Sequence, residues 1–159
     1  MATTSAFPAD VPPAAASPGA RRVDRLLVVA NETLVGDELL VASVRGLVAP
    51  GASVLVVCPV IVSRVRSWAS DLTCGMVAAQ ERLRRSLATL RALGFDAEGN
   101  VADADPVIAM DDALRVFDAQ HVLVSTRPYG RSTWLERRVV ERARRRFALP
   151  ISHVVIDLA

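Results

Sequence analysis

Lysine is absent from this chain of 159 residues, and all 19 of its basic side chains are arginine. That absence removes whole classes of chemistry. A Walker-type phosphate loop needs a lysine on its phosphates, and a pyridoxal enzyme needs one for its Schiff base. A response-regulator receiver domain would also want a lysine late in its sheet. Cysteine is nearly as scarce: Cys58 and Cys74 lie far apart, outside any Cys-x-x-Cys spacing. There is no disulfide framework and no zinc spacing, which fits reduced thiols in a cytoplasmic protein and predicts no metal. Aromatic residues make up 4% of the chain, too few to stack a run of bases. The 19 basic and 17 acidic residues leave a net charge of +2, which is not the balance of a polyanion binder. No apolar run approaches the ~18 residues of a membrane span, because VLVVCPVIV is broken at Pro59. Neither a membrane nor a nucleic acid is therefore expected as a partner.

What is present reads as one ordinary domain, 52% hydrophobic and 23% charged. The first twenty residues, MATTSAFPADVPPAAASPGA, have neither the basic nor the apolar region of a secretory leader. Rich in Pro, Ala and Ser, they are expected to form a disordered tail, residues 1–20. The domain is then 21–159, and a fold of roughly 140 residues can bury about two-thirds of its unfolded surface.

Strand and helix patterns alternate along this domain. RLLVVA (Arg25–Ala30) and SVLVVC (Ser53–Cys58) are continuous apolar runs, the signature of strands buried on both faces. Between them a helix is predicted from about Leu34 to Val48, closed by Ala49-Pro50-Gly51. A looser stretch from Pro59 to Gly75 follows. The next helix carries Met76, Ala79, Leu83, Leu87 and Leu90 on one stripe and ends at Gly94. A third strand is expected around Ala97–Ala102. Asp105 then caps a helix whose first residue is Pro106, running to about Phe117. HVLVS (His121–Ser125) is the fourth strand. Thr133 and Glu136 form a capping box, which predicts a last helix from about Trp134. Its buried face is expected at Leu135, Val139, Val140, Ala143 and Phe147, with arginines opposite. ISHVVID (Ile151–Asp157) is the fifth strand. Five strands alternating with four helices predict an α/β fold: a doubly wound, five-stranded parallel sheet with helices on both faces. Ligands of such sheets bind beyond the carboxyl ends of the strands, at the switch point.

Two loops carry the chemistry if that point lies between strands one and four. One holds Asn31, Glu32 and Thr33. The other holds Ser125, Thr126, Arg127, Gly130, Arg131, Ser132 and Thr133. Arginines and hydroxyls at a helix N-terminus suit an anion through charge and dipole. The plainer reading is that Ser132 and Thr133 only cap a helix, that the arginines are solvated, and that Gly130 is a turn residue.

Three segments resemble the universal stress protein family. LLVVANET (Leu26–Thr33) resembles its first strand, which typically ends in Asp-Gly-Ser. DADPVIAM (Asp103–Met110) is similar to its Gly-Asp-Pro helix start. VVERARRRFALPISHVVI (Val139–Ile156) resembles its closing helix, turn and last strand. The resemblance covers about 21–159 and implies the strand order 3-2-1-4-5. It also implies a homodimer through the fifth strand, for which Ile151, His153, Val155 and Asp157 are the candidate edge residues. The strand's composition argues the same way, since an apolar edge with little charge invites pairing. The family's ATP-binding members carry two glycines three apart, then, after nine intervening residues, Gly-Ser. Here those positions fall on Val124, Arg127, Arg137 and Arg138. Glycines there let backbone amides approach phosphate oxygens, and side chains stand in the way.

Other candidates are weaker. His121 and His153 are read as structural residues beginning strands four and five, at the sheet edge opposite the site. Cys58 is read as a buried thiol, and Asp111-Asp112 as solvated surface. Trp68 and Trp134 either wall a pocket or cover an apolar surface. Gly-x-Gly-x-x-Gly, Ser-Gly-Gly-x-Asp and His-x-Gly-His are all missing, and no catalytic set assembles. The expected function is a non-enzymatic, universal-stress-type regulatory or binding module without a resident cofactor. It would act through a protein partner or a small anionic ligand. The alternative is an adenine-nucleotide (ATP or AMP) binder or slow ATPase with an altered loop.

Overall fold

Strand β1, Val23–Ala30, is the centre of the molecule, and its last five residues, Leu26 to Ala30, are inaccessible to solvent. The computed structural model describes residues 21–30, 38–59, 69–102, 105–128, 130 and 138–156, excepting the side chains of 69–76, 78 and 79. Leu26, Val28 and Ala30 enter one core; Leu27 and Val29 enter the other. A strand covered on both faces loses the apolar–polar alternation, which is why its sequence is a continuous hydrophobic run.

The elements follow in strict alternation: α1 (Glu38–Leu47), β2 (Val48–Pro59), α2 (Ala69–Ala92), β3 (Asp96–Ala102), α3 (Pro106–Val116), β4 (His121–Thr126), α4 (Val139–Arg146) and β5 (Ile151–Val155). All neighbouring strands pair in parallel, in the order β3-β2-β1-β4-β5. This is the order the resemblance implied. Leu40 and Val44 of α1 and Leu83, Leu87 and Leu90 of α2 pack on one face of the sheet. Val107, Met110 and Ala113 of α3 and Val139, Val140 and Ala143 of α4 pack on the other.

Two helix ends follow local chemistry as expected. The Asp105 carboxylate accepts the Val107 amide at 2.9 Å with Pro106 in the first turn. At the end of α2, Gly94 adopts φ 91° while Phe95 N–H donates to Leu90 O and Gly94 N–H to Arg91 O. This is the Schellman arrangement, and it needs a residue tolerant of the left-handed region.

Three boundaries differ from expectation. Helix α1 stops at Leu47, and the segment expected to close it, Ala49-Pro50-Gly51, lies inside β2, with Val48 already paired to Val23. The register slips between Val23 and Arg25, and Gly51 takes φ 74°. Burial of Val48 and Ala52 draws the segment into the sheet, and the irregularity accommodates Pro50, which has no amide to donate. Helix α2 begins at Ala69, seven residues before the apolar stripe, and runs through Gly75. One interior glycine costs only about 1 kcal/mol, too little to end a helix anchored by Leu83, Leu87 and Leu90. Helix α4 does not run unbroken from Trp134. Arg138 sits at φ 52°, outside the right-handed helical region, and the helix starts only at Val139.

The two margins of the sheet are chemically unlike. β3 turns Asp96, Glu98 and Asn100 outward and exposed. β5 offers Ile151, Ser152, His153, Val154 and Val155, without an acid or a lysine. Gly99 of β3 lies so close to its neighbours that a Cβ would meet Val56 O at 2.6 Å and Leu83 Cδ1 at 3.0 Å.

Candidate functional site

The carboxyl ends of β1 and β4 lie side by side, with Ala30 in register with Ser125. The switch point of the sheet is therefore where the two candidate loops leave it. Asn31, Glu32, Thr33, Arg131, Ser132 and Thr133 lie outside the described residues, as do Trp68, Trp134 and Asp157. Ser125, Thr126, Arg127 and Gly130 are described. Gly130 is an exposed turn residue with φ 85°.

Ser125 and Thr126 are both fully buried, yet their hydroxyls differ. Thr126 Oγ1 shares a 2.7 Å hydrogen bond with His153 Nε2. Ser125 Oγ has no hydrogen-bond partner among the described residues. A buried hydroxyl left unpaired costs on the order of 1–3 kcal/mol, so this atom calls for an acceptor or donor beyond the described residues. Arg127 follows directly, half-exposed, where β4 leaves the sheet.

Arg138, at the start of α4, is the one non-glycine residue with positive φ among those described. α4 follows a parallel strand and precedes the next, so its N-terminus lies on the carboxyl side of the sheet. Holding arginine in the left-handed region costs roughly 1–2 kcal/mol. Nothing in the sequence signals this conformation, because the residue that would advertise it, glycine, is absent.

The histidines required a correction. His121 does begin β4, where its Nε2 is 2.7 Å from Ser152 Oγ. His153, however, is the third residue of β5, in register with Val124, and its ring reaches Thr126 at the carboxyl end. One imidazole–hydroxyl bond thus ties β5 to β4 on each face of the sheet. Burial holds both imidazoles below the ordinary value of 6.5; for His153 the Arg144 guanidinium adds to this and Glu141 opposes it. An unfolded chain therefore takes up these protons at higher pH than the folded one does. Stability is full above the unfolded value and falls as pH drops below it toward the depressed folded value. Urea midpoints measured from about pH 8 to about pH 5.5 should fall more steeply for the wild type than for a His121→Gln/His153→Gln chain. Parallel slopes would assign the acid sensitivity to carboxylates alone.

The backbone of β5 shows which atoms face its free side. Pro150 O accepts from Val122 N–H, and Ile156 N–H donates to Thr126 O, so the even-numbered residues point at β4. The amides and carbonyls of Ile151, His153 and Val155 then point away from the sheet. Arg144 already donates to Ile151 O at 3.3 Å, which leaves His153 and Val155 with outward groups open to a further strand.

Cys58 is buried at the end of β2, as expected. The reading of Asp111 as solvated was wrong: it is half-buried and holds Arg115 at 2.8 Å and Arg146 at 3.0 Å, although Asp112 is exposed. Among the described residues, no helix is long and apolar enough to cross a membrane.

Known proteins resemble this architecture in structure and not in sequence. No family model matches the chain, and neither does any curated protein. The structure of a universal stress protein from Archaeoglobus fulgidus aligns over 83% of this chain and 93% of its own, with TM-score 0.53 and 17% identity. The chain has the universal stress protein fold. A universal stress protein family member from Burkholderia pseudomallei aligns over 81% of this chain and 94% of its own, with TM-score 0.48 and 18% identity. At such identities the shared property is the fold. On this fold, the present chain has a left-handed backbone at Arg138 and a fully buried Val124 side chain in β4.

Proposed function

We infer that this chain is a non-enzymatic binding module of the universal stress type, working in the cytoplasm as a homodimer. It acts through a protein partner or through a small anionic ligand held at the carboxyl ends of β1 and β4. The observation that carries the ligand site is the orphan Ser125 hydroxyl. It is a buried polar atom without a partner at the switch point, beside Arg127. The strained Arg138 on the same side of the sheet supports it, since strain of this kind collects at ligand sites.

The second reading is an adenine-nucleotide binder or slow ATPase. The left-handed backbone of Arg138, the position aligned with the serine of the family's Gly-Ser pair, favours it only in that the chain takes an irregular path where α4 begins. The side chains of Val124, Arg127 and Arg137, which stand at the three glycine positions, weigh against it, because backbone amides cannot approach phosphates as they do through glycine. Calorimetry with Mg-ATP separates the two. Binding weaker than the micromolar range is expected, and mass spectrometry of small molecules released from freshly purified, denatured protein should find no stoichiometric nucleotide. A tight one-to-one isotherm, or one nucleotide per chain in the extract, would put the second reading first.

A further inference from the structure

The outer face of α4 forms a feature separate from the strand-end site. Its sequence, VVERARRR, sets four arginines against the single carboxylate of Glu141. Arg142, Arg145 and Arg146 line a shallow, wide-open cleft beside Val107 of α3. Surface arginines are usually solvated and loosely placed. Two of these are held. Arg142 reaches both oxygens of Asp105, at 3.2 and 3.4 Å, and Arg146 lies 3.0 Å from Asp111.

The exposures show which way the charge faces. The side chains of Asp105 and Asp111 are each 24% exposed, those of Arg142 and Arg146 44% and 56%. The carboxylates lie beneath and the guanidinium groups lie on top. Each guanidinium carries five N–H donors in a fixed fork, and these contacts use two on Arg142 and one on Arg146. Arg145, between them, has no hydrogen-bond or ion-pair partner among the described residues. The cleft therefore presents pre-positioned donors, two of them already ordered, and ordering is a main cost of binding.

We propose that this cleft is a docking surface for an acidic peptide segment of a partner protein, whose Asp or Glu side chains the three arginines receive. A carboxylate is the group Arg142 and Arg146 already hold. A nucleic acid fits less well: the described lining has no aromatic side chain to stack a base. The proposal rests on the chain being a binding module, but not on the strand-end ligand, which the Mg-ATP titration tests separately.

The test is fluorescence anisotropy on the full chain with three labelled probes: an Asp/Glu-rich peptide, its Asn/Gln counterpart, and a short DNA duplex. The acidic peptide should bind, the amide peptide should not, and affinity should fall as salt rises from about 0.05 to about 0.5 M. Arg145→Glu should weaken acidic-peptide binding about tenfold or more, at an unchanged melting temperature, because Arg145 makes no hydrogen bond or ion pair among the described residues. Arg145→Gln serves as the milder variant should charge reversal disturb folding, and it should weaken binding in the same direction. Absence of acidic-peptide binding overturns the proposal. So does binding that Arg145→Glu and Arg145→Gln leave intact, or a duplex that binds as tightly as the peptide.

Discussion

Val155→Pro should convert a dimer of this chain into a folded monomer. Val155 is 44% exposed near the end of β5, and its amide points away from β4. Proline at that position removes one outward donor and none of the bonds that hold β5 to β4. The monomer should therefore keep its secondary structure, while the partner strand loses its ladder. The free groups of His153 and Val155 suit a second β5 running antiparallel across a two-fold axis, the commonest form of homodimer. Val155→Arg should act in the same direction through charge. Light scattering at micromolar concentration, with circular dichroism as the check on folding, reads the result. A wild type that is monomeric would rule out pairing at this edge, and a Val155→Pro chain that stays dimeric would place the interface on a helix face.

The second large effect is expected at Gly99. A Cβ there would meet Val56 O at 2.6 Å, and that carbonyl belongs to the neighbouring strand, which cannot swing aside as a side-chain tip can. The φ of Gly99 lies outside the left-handed region, so the effect is steric and not conformational. Overpacking of this kind costs about 1–3 kcal/mol, and the stiffer unfolded chain of an alanine variant returns roughly 0.4–1 kcal/mol. Gly99→Ala should thus lose about 1–2 kcal/mol, lowering Tm by roughly 3–6 °C. Gly99→Val, whose methyls would press on Leu83 and Leu87 as well, should lose about 3 kcal/mol or more. Thermal melts of the two variants should form a graded series. Gly99→Ala at wild-type stability would mean that β3 shifts freely against both β2 and α2.

The alternation of elements was legible because buried parallel strands leave unmistakable apolar runs, as in Leu26–Val29 and Val54–Val57. The Asp105-Pro106 cap and Gly94 were legible because their chemistry is local. The strand order was not written in periodicity, and it came from resemblance. What escaped the sequence was set by tertiary context. Pro50 and Gly51 spell a turn and instead form an irregular strand, because Val48 and Ala52 find burial there. His153 was misplaced because a strand's sequence does not state its register against its neighbour. The unpartnered hydroxyl of Ser125, the strain at Arg138 and the ion pairs Arg142–Asp105 and Arg146–Asp111 have no sequence signature. Each depends on residues brought together only by the fold.

The unlike margins of the sheet bear on stoichiometry. A sheet open at both sides is a monomer unit in the polymer sense: copies add indefinitely and the product is a fibre. Here Asp96 and Glu98 line one margin, and a strand arriving there would meet carboxylates on alternate residues. The proposed pairing at the β5 margin would use up the single adhesive side of each copy. The reaction between copies would then terminate after one step, so raising the concentration should fill the two-copy state without lengthening it.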